Sequence, residues 1–303
     1  MPSRKEVHID AALSNIAVSY RGLGFVADKV FPVVKVQKES DKFYKFAKEE
    51  LLDDDDSRAP SALAKEFEYG TDTDTYSAEE YARLHYVDDR IISNSDPAIQ
   101  PLITATKKLT KKIQLGYERR VAGLAMGTGI TAAVVATKWD ANAATAVIIA
   151  RDITTGKQSV RGSAGEEPNS LLVNDQVADT LMNVLANSAT NATIKDWLML
   201  GMYPAQMFNL EFIVASGRYN SAKKGAAEVL SRIWADMAVI FYKDANPTID
   251  SGTVFGYTLR ARDWQTKRWY SDERTSEAIR VSVIQDEKVV SSSAAYQCQD
   301  VIT

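Results

Sequence analysis

The sequence predicts an α+β fold hung on one long helix, and three observations predict it. Residues 96–126 repeat apolar side chains at helical spacing with stop signals at both ends. Stretches within 38–89 and 250–303 alternate at the two-residue period of strands. The first thirty-odd residues carry an apolar side with no core of their own to receive it. In the organising stretch, Asp96 can accept amide hydrogens of a first turn, and Pro97 stands where a missing N–H costs nothing. Leu102, Leu109, Ile113, Tyr117, Val121 and Leu124 form a narrow stripe, while Lys107, Lys108, Lys111, Lys112, Arg119 and Arg120 crowd the remaining surface. Gly123, Gly127 and Gly129 end it, and at 1.5 Å per residue the rod is about 45 Å long.

Ahead of it, residues 8–20 place Ile9, Leu13, Ile16 and Tyr20 on one side of a short amphipathic helix started by Asp10. The run FVADKVFPVVKVQ, with Pro32 inside it, is expected to be an extended or edge segment. Together these make an arm. From Lys38 to Asp89, KFYKFAK and the alternation of Ala82, Leu84 and Tyr86 predict two strands of an extended hairpin joined through a charged middle that holds Asp53–Asp56 and Pro60. Such a ribbon is marginal in isolation and needs a neighbour. Acidic residues outnumber basic ones about two to one in it, whereas the helix is basic, so the two surfaces are expected to meet between subunits.

Beyond the helix, ITAAVVATKW is expected to be a strand or loop, and Ala146, Ile149, Ile153, Lys157 and Val160 predict a second helix. The run RGSAGEEPNS marks a turn into the buried strand SLLVN, and Val177, Leu181, Val184 and Leu185 predict a third helix. Residues up to Lys243, with strands LEFIVAS and MAVIFYK and the exposed RYNSAKKGAAE, form a second lobe. GTVFGYTLRARDW, EAIRVSVIQ and AAYQCQDVI predict three antiparallel strands lying back beside the long helix.

Composition narrows the function. With 303 residues, 45% hydrophobic and 25% charged, the chain is of ordinary globular make-up. A net charge of −4 gives no global attraction to nucleic acid, so contact with a polyanion requires a local patch. The single Cys298 excludes an intramolecular disulfide framework and fits a reducing cytoplasm; its alternating strand predicts a buried structural thiol. No signal-peptide core and no run of roughly 18 apolar residues are present, so no membrane partner is expected.

The candidate chemical motifs resolve into structural ones. Gly127-Thr128-Gly129-Ile130-Thr131-Ala132 has the letters of a dinucleotide fingerprint, but a helix precedes it where a strand is required, so it terminates a helix. Gly156-Lys157 lacks the rest of a phosphate loop and is expected to be a turn; Gly162–Gly165 is expected to be a loop. Asp53–Asp56, and Asp72 with Asp74, lack the glycine and distal glutamate of a calcium loop and are taken as a solvated acidic tip. His8 and His85 stand far apart with no zinc or triad neighbourhood. The expectation is therefore no catalytic residue, no cofactor and no metal. The clustered Lys107, Lys108, Lys111 and Lys112 admit three readings side by side: a solvated face, a contact with packaged DNA that weakens with salt, or pairing with a neighbour's acidic ribbon.

The order of parts then resembles a known family. NIAVSYRGLGFVADKVFPVVKVQKESDKFYKF, the acidic ribbon ending in DTYSAEEYA, the long basic helix, PNSLLVNDQVADTL and the closing GYTLRARDW resemble major capsid proteins of tailed double-stranded DNA bacteriophages, the Hong Kong 97 type fold. The resemblance covers essentially the whole chain and rests on no single motif. It implies an N-terminal arm over 1–37, an extended β-hairpin loop over 38–89, a peripheral domain over 90–170 with spine helix 96–126, an axial domain over 171–249, and C-terminal strands over 250–303 completing the peripheral domain. It implies homo-hexamers and homo-pentamers in an icosahedral virion shell around double-stranded DNA bound without sequence specificity, assembled in the host cytoplasm. A portal is a further implied partner and a decoration protein an optional one; family members often carry a cleaved N-terminal scaffolding extension, and since the arm here begins close to Met1, a separate scaffolding protein or none is expected. Phe43, Tyr44, Phe46 and Asp53, Asp54, Asp55 and Asp56 are the expected inter-subunit residues, and the four lysines the DNA-facing ones. Two other classes compete: an encapsulin-like nanocompartment enclosing an enzyme, and an α/β enzyme for which Asp175, Asp196 and Asp236 are the scattered candidates.

Overall fold

The long helix runs Pro101–Ala125, with Pro101 at its start, where no amide is needed, and extended Gln100 before it. The chain is described by a computed structural model over residues 8–9, 24–46, 57–58, 60–61, 63, 71–95, 100–187, 192–223, 225–244, 246 and 253–303. The helix thus begins five residues later than Asp96, and the expected Asp96 cap lies outside the described residues. Its buried face is broader than the apolar stripe: Ala105, Thr106, Thr110, Ile113, Tyr117, Glu118, Val121, Ala122 and Ala125. Thr106 and Thr110 can be buried because each hydroxyl donates one turn back, to Leu102 O and Thr106 O at 2.9 Å. At the far end Met126 N donates to Ala122 O and Gly127 N to Leu124 O.

Before this helix come β1 (His8–Ile9), a single helical turn Ala27–Val30, β2 (Val33–Lys35), β3 (Ser40–Phe46), β4 (Thr71–Ser77), β5 (Glu79–Asp88) and a short helix Asp89–Ser93. After it come β6 (Thr131–Val134), a helix Ala146–Ala164, β7 (Ser170–Asn174), helices Asp175–Asn187 and Ala192–Met199, and β8 (Gln206–Met207). Then follow β9 (Leu210–Ala215), β10 (Arg218–Asn220), β11 (Leu230–Arg232), β12 (Ala238–Phe241), β13 (Gly256–Ser271), β14 (Ser276–Val289) and β15 (Ala295–Gln299).

Two larger sheets result. The first has the order β1-β13-β14-β5, with β2 also on the β13 edge, and is carried by the long antiparallel β13–β14 hairpin. The second has the order β6-β15-β12-β7-β9-β8. Among the described residues β3 pairs only with β4, and β10 only with β11. The N-terminal half of the long helix lies on the first sheet, burying Ile113 with Trp264, Val281 and Val283, and Ala105 with Val87 and Ile279. Its C-terminal half enters the main core, where Tyr117, Val121, Ala122 and Ala125 join residues of the second sheet and of the 146–164 and 175–187 helices. One rod therefore ties two cores together.

Several expectations need correction. His8 and Ile9 form a strand against Arg268 and Lys267 instead of opening a helix, and residues 10–20 lie outside the described residues. The FVADKVFPVVKVQ run holds a helical turn before its extended part. The ribbon's return strand is the polar β4, TDTDTYS; the strand with Ala82, Leu84 and Tyr86 is β5, which pairs with β14. β15 does not join β13 and β14 but sits between β6 and β12, because its buried Ala295, Tyr296 and Cys298 belong to the main core. Neither Gly156 nor Gly162 lies in a turn or loop: both are inside the 146–164 helix, which ends in left-handed Gly165 (φ 76°). A Cβ on Gly156 would stand 2.5 Å from Ile240 Cδ1 and 2.8 Å from Tyr296 Cδ1, so the missing side chain is what lets this helix approach the sheet.

Candidate functional site

Glu118 is the node where three distant parts of the chain meet. It is fully buried on the long helix. Its carboxylate accepts from Val26 N at 3.0 and 3.1 Å, from Ala27 N at 2.8 Å and from Trp234 Nε1 at 2.7 Å. The end of the arm, the spine and the second lobe are thus fastened to one side chain. Burial pushes the Glu118 carboxyl above its usual range, and the donors from Val26, Trp234 and Ala27 offset part of that.

Two arginines expected on the open surface are committed elsewhere. Arg120 donates from Nε and Nη2 to the nearly buried Glu287, both at 2.8 Å, and lies 3.6 Å from the Tyr81 ring centroid. Arg119 lies over the Tyr219 ring at 4.5 Å. In the second lobe, Arg232 and Arg218 donate to Asp175 at 2.6 and 2.9 Å. Burial would raise the Asp175 carboxyl, but the two guanidiniums hold it below its usual range.

The carboxylates named for an enzymatic reading do not converge. Asp175 is taken by the two arginines, Asp236 accepts from Asn174 Nδ2 at 2.6 Å, and Asp196 is exposed on the 192–199 helix. Among the described residues no cluster of metal-ligating side chains occurs, and no helix is long and apolar enough to cross a membrane. Cys298 is buried, and that burial pushes its thiol up to about 12.

The surface residues sort as follows. Lys107, Lys108, Lys111 and Lys112 are all exposed, and none forms an ion pair with another described residue. Lys107 and Lys111 stand opposite the buried face, whereas Lys108 and Lys112 line a groove of about 730 Å³ between the long helix, β5 and the Asp89–Ser93 helix. Phe43 is not available to a neighbour: it is buried in its own chain with Tyr76, Val34, Val36 and Leu259, which fixes the base of the ribbon. Tyr44 and Phe46 lie farther along β3, opposite Thr73 and Thr71. Asp53–Asp56 lie outside the described residues.

A family model described as phage capsid protein matches residues 71–275, from β4 to the turn between β13 and β14. The chain belongs to the phage capsid protein family. It is 28% identical over 265 residues to a major capsid protein of Pseudomonas phage JBD67, covering 82% of each chain. Its fold is similar to that of a phage-related protein from Bordetella bronchiseptica RB50, with a TM-score of 0.70 at 20% identity over 97% of each chain. The capsid structure of Cyanophage P-SCSP1u gives a TM-score of 0.62 at 11% identity, covering 92% of this chain and 89% of that one. The fold is therefore of the Hong Kong 97 type, and the chain is a phage major capsid protein, a structural component of the virion. The nanocompartment reading is not favoured by this match.

Proposed function

We propose that copies of this major capsid protein close as hexamers and pentamers into an icosahedral shell around double-stranded DNA, with no catalytic role. The observation that carries the reading is the β3–β4 ribbon, a two-stranded sheet that pairs with no third strand among the described residues. It is held at its base by Ala78 N to Glu39 O at 2.7 Å and Ser77 N to Asp286 at 3.0 Å. Two strands alone are marginal in water, so the far part gains stability from another copy. In this reading 1–37 is the arm, 38–89 the extended loop, and the first sheet with the long helix the peripheral domain. The axial domain takes in 171–249 and, through shared sheet and core, β6, β15 and the 146–164 helix.

Lys107 and Lys111, outward on the long helix, support a contact with packaged DNA that neutralises phosphates without reading sequence. A portal, a separate scaffolding protein and an optional decoration protein complete the set of partners, with assembly in the host cytoplasm. Electron microscopy of the purified chain, with the ratio of absorbance at 260 and 280 nm of purified virions, tests the reading. Closed shells containing DNA are expected; discrete monomers or dimers at every concentration and salt would overturn it.

A further inference from the structure

The first sheet has a second face, turned away from the long helix, and two positive charges stand directly opposite each other on it. Ile279, Val281 and Val283 of β14 face the helix, so Arg280 between them points to the other side. Lys267 of β13 and Leu84 of β5 are its cross-strand partners and share that side. Like charges opposed across two strands, roughly 5 Å apart at Cβ, repel. On β5 the carboxylates of this side, Glu80 and Asp88, are each four residues from Leu84, about 13 Å away, too distant to relieve the pair. Neither Arg280 nor Lys267 forms a side-chain ion pair or hydrogen bond with another described residue, and Arg280 Nε is buried without an acceptor. A buried guanidinium donor left unmatched is costly, more so with a second cation beside it. Trp269 and Tyr86, next along the same side, are partly buried and Leu84 is 43% exposed, so apolar surface borders the two cations and limits screening by water. Arg274, 4.2 Å from the Tyr86 ring centroid, adds a third positive charge.

We infer that Arg280 and Lys267 form a binding site for a phosphate-class oxyanion on this face of the sheet. The planar guanidinium supplies a fork of N–H donors and the ammonium a point charge. A tetrahedral anion can turn two oxygens to the fork and a third to the ammonium, which a planar carboxylate cannot. Its two sources are free phosphate and the backbone phosphate of a nucleic acid. The site is distinct from the DNA contact proposed for Lys107 and Lys111, because the long helix lies on the opposite side of the same sheet.

Thermal melting of full-length unassembled subunits tests this, in sodium chloride and in sodium phosphate at matched ionic strength. In chloride, Lys267→Gln is expected to melt about 1–2 °C above wild type, since it removes the repulsion. With phosphate at about ten times its Kd, wild type is expected to gain about 3 °C more than Lys267→Gln, which reverses the order. The general stabilisation that phosphate gives any folded chain is common to both and cancels. Calorimetric titration with inorganic phosphate is expected to show about tenfold weaker binding to Arg280→Lys, which keeps the charge and loses the fork. Equal gains in phosphate for wild type and Lys267→Gln, or equal phosphate affinity of wild type and Arg280→Lys, would overturn the inference. The source is read from the anisotropy of a short labelled DNA duplex. Duplex affinity that falls about tenfold in Lys267→Gln assigns the site to nucleic acid, and unchanged duplex affinity beside weakened phosphate binding assigns it to free phosphate.

Discussion

Replacing Glu118 by alanine tests whether one buried carboxylate fastens the arm, the spine and the second lobe. The substitution orphans three buried donors, the amides of Val26 and Ala27 and the indole N–H of Trp234. At ~1–3 kcal/mol for each unsatisfied buried donor, the gross cost is ~3–9 kcal/mol. Relief works the other way. Burial raises the folded-state pKa of Glu118 above its unfolded value, so its linkage contribution is fully present below the unfolded pKa and is lost as pH rises through the folded one. At neutral pH the ionised group therefore opposes folding, and removing it returns part of the loss. A net destabilisation of about 3 kcal/mol follows, a fall in Tm of about 6 °C for a chain of this size. Glu118→Gln keeps one acceptor and turns an NH2 towards the donors, so about half that loss is expected. The advantage of wild type over Glu118→Gln should be largest in acid and shrink as pH rises. Calorimetry on unassembled subunits reads the first effect, and amide exchange at Val26 and Ala27 locates it. A Glu118→Ala subunit melting within 1 °C of wild type, with unchanged exchange at those amides, would refute the reasoning.

Gly156→Ala forces a methyl against Ile240 and Tyr296 and should cost about 1–3 kcal/mol, read as a shift in denaturation midpoint. Asp175→Asn should lower stability by about 1–2 kcal/mol at neutral pH. Because the folded pKa of Asp175 is depressed, wild type holds this contribution above the usual carboxylate value and loses it as pH falls through the depressed one, so the two melting curves should converge in acid. Deleting residues 49–61 should leave a soluble subunit but weaken assembly, as read by particle yield in sedimentation. Lys107→Gln with Lys111→Gln should reduce DNA retention at low salt with particle yield unchanged; full retention would assign these lysines to solvent.

The sequence by itself determined what is local. Helical spacing from Leu102 to Leu124 located the spine, spacing from Ala146 to Val160 located the next helix, and alternation located β5 and β14, because periodicity depends only on near neighbours. The order of these parts sufficed for the family. Pairings across the chain were decided by tertiary structure. β4 was hidden because TDTDTYS carries Asp where an apolar alternation would show, and β15 looks like a third strand of the β13–β14 hairpin until its partners β6 and β12 are known. Gly156 looks like a helix breaker until the sheet beneath it is in place. Arg120 reads as a surface residue and nothing local marks Glu118, since their partners stand 92, 116 and 167 positions away. A charge pattern records which residues are polar, but only the fold brings a distant donor to a carboxylate or divides one lysine cluster between an outward face and a groove.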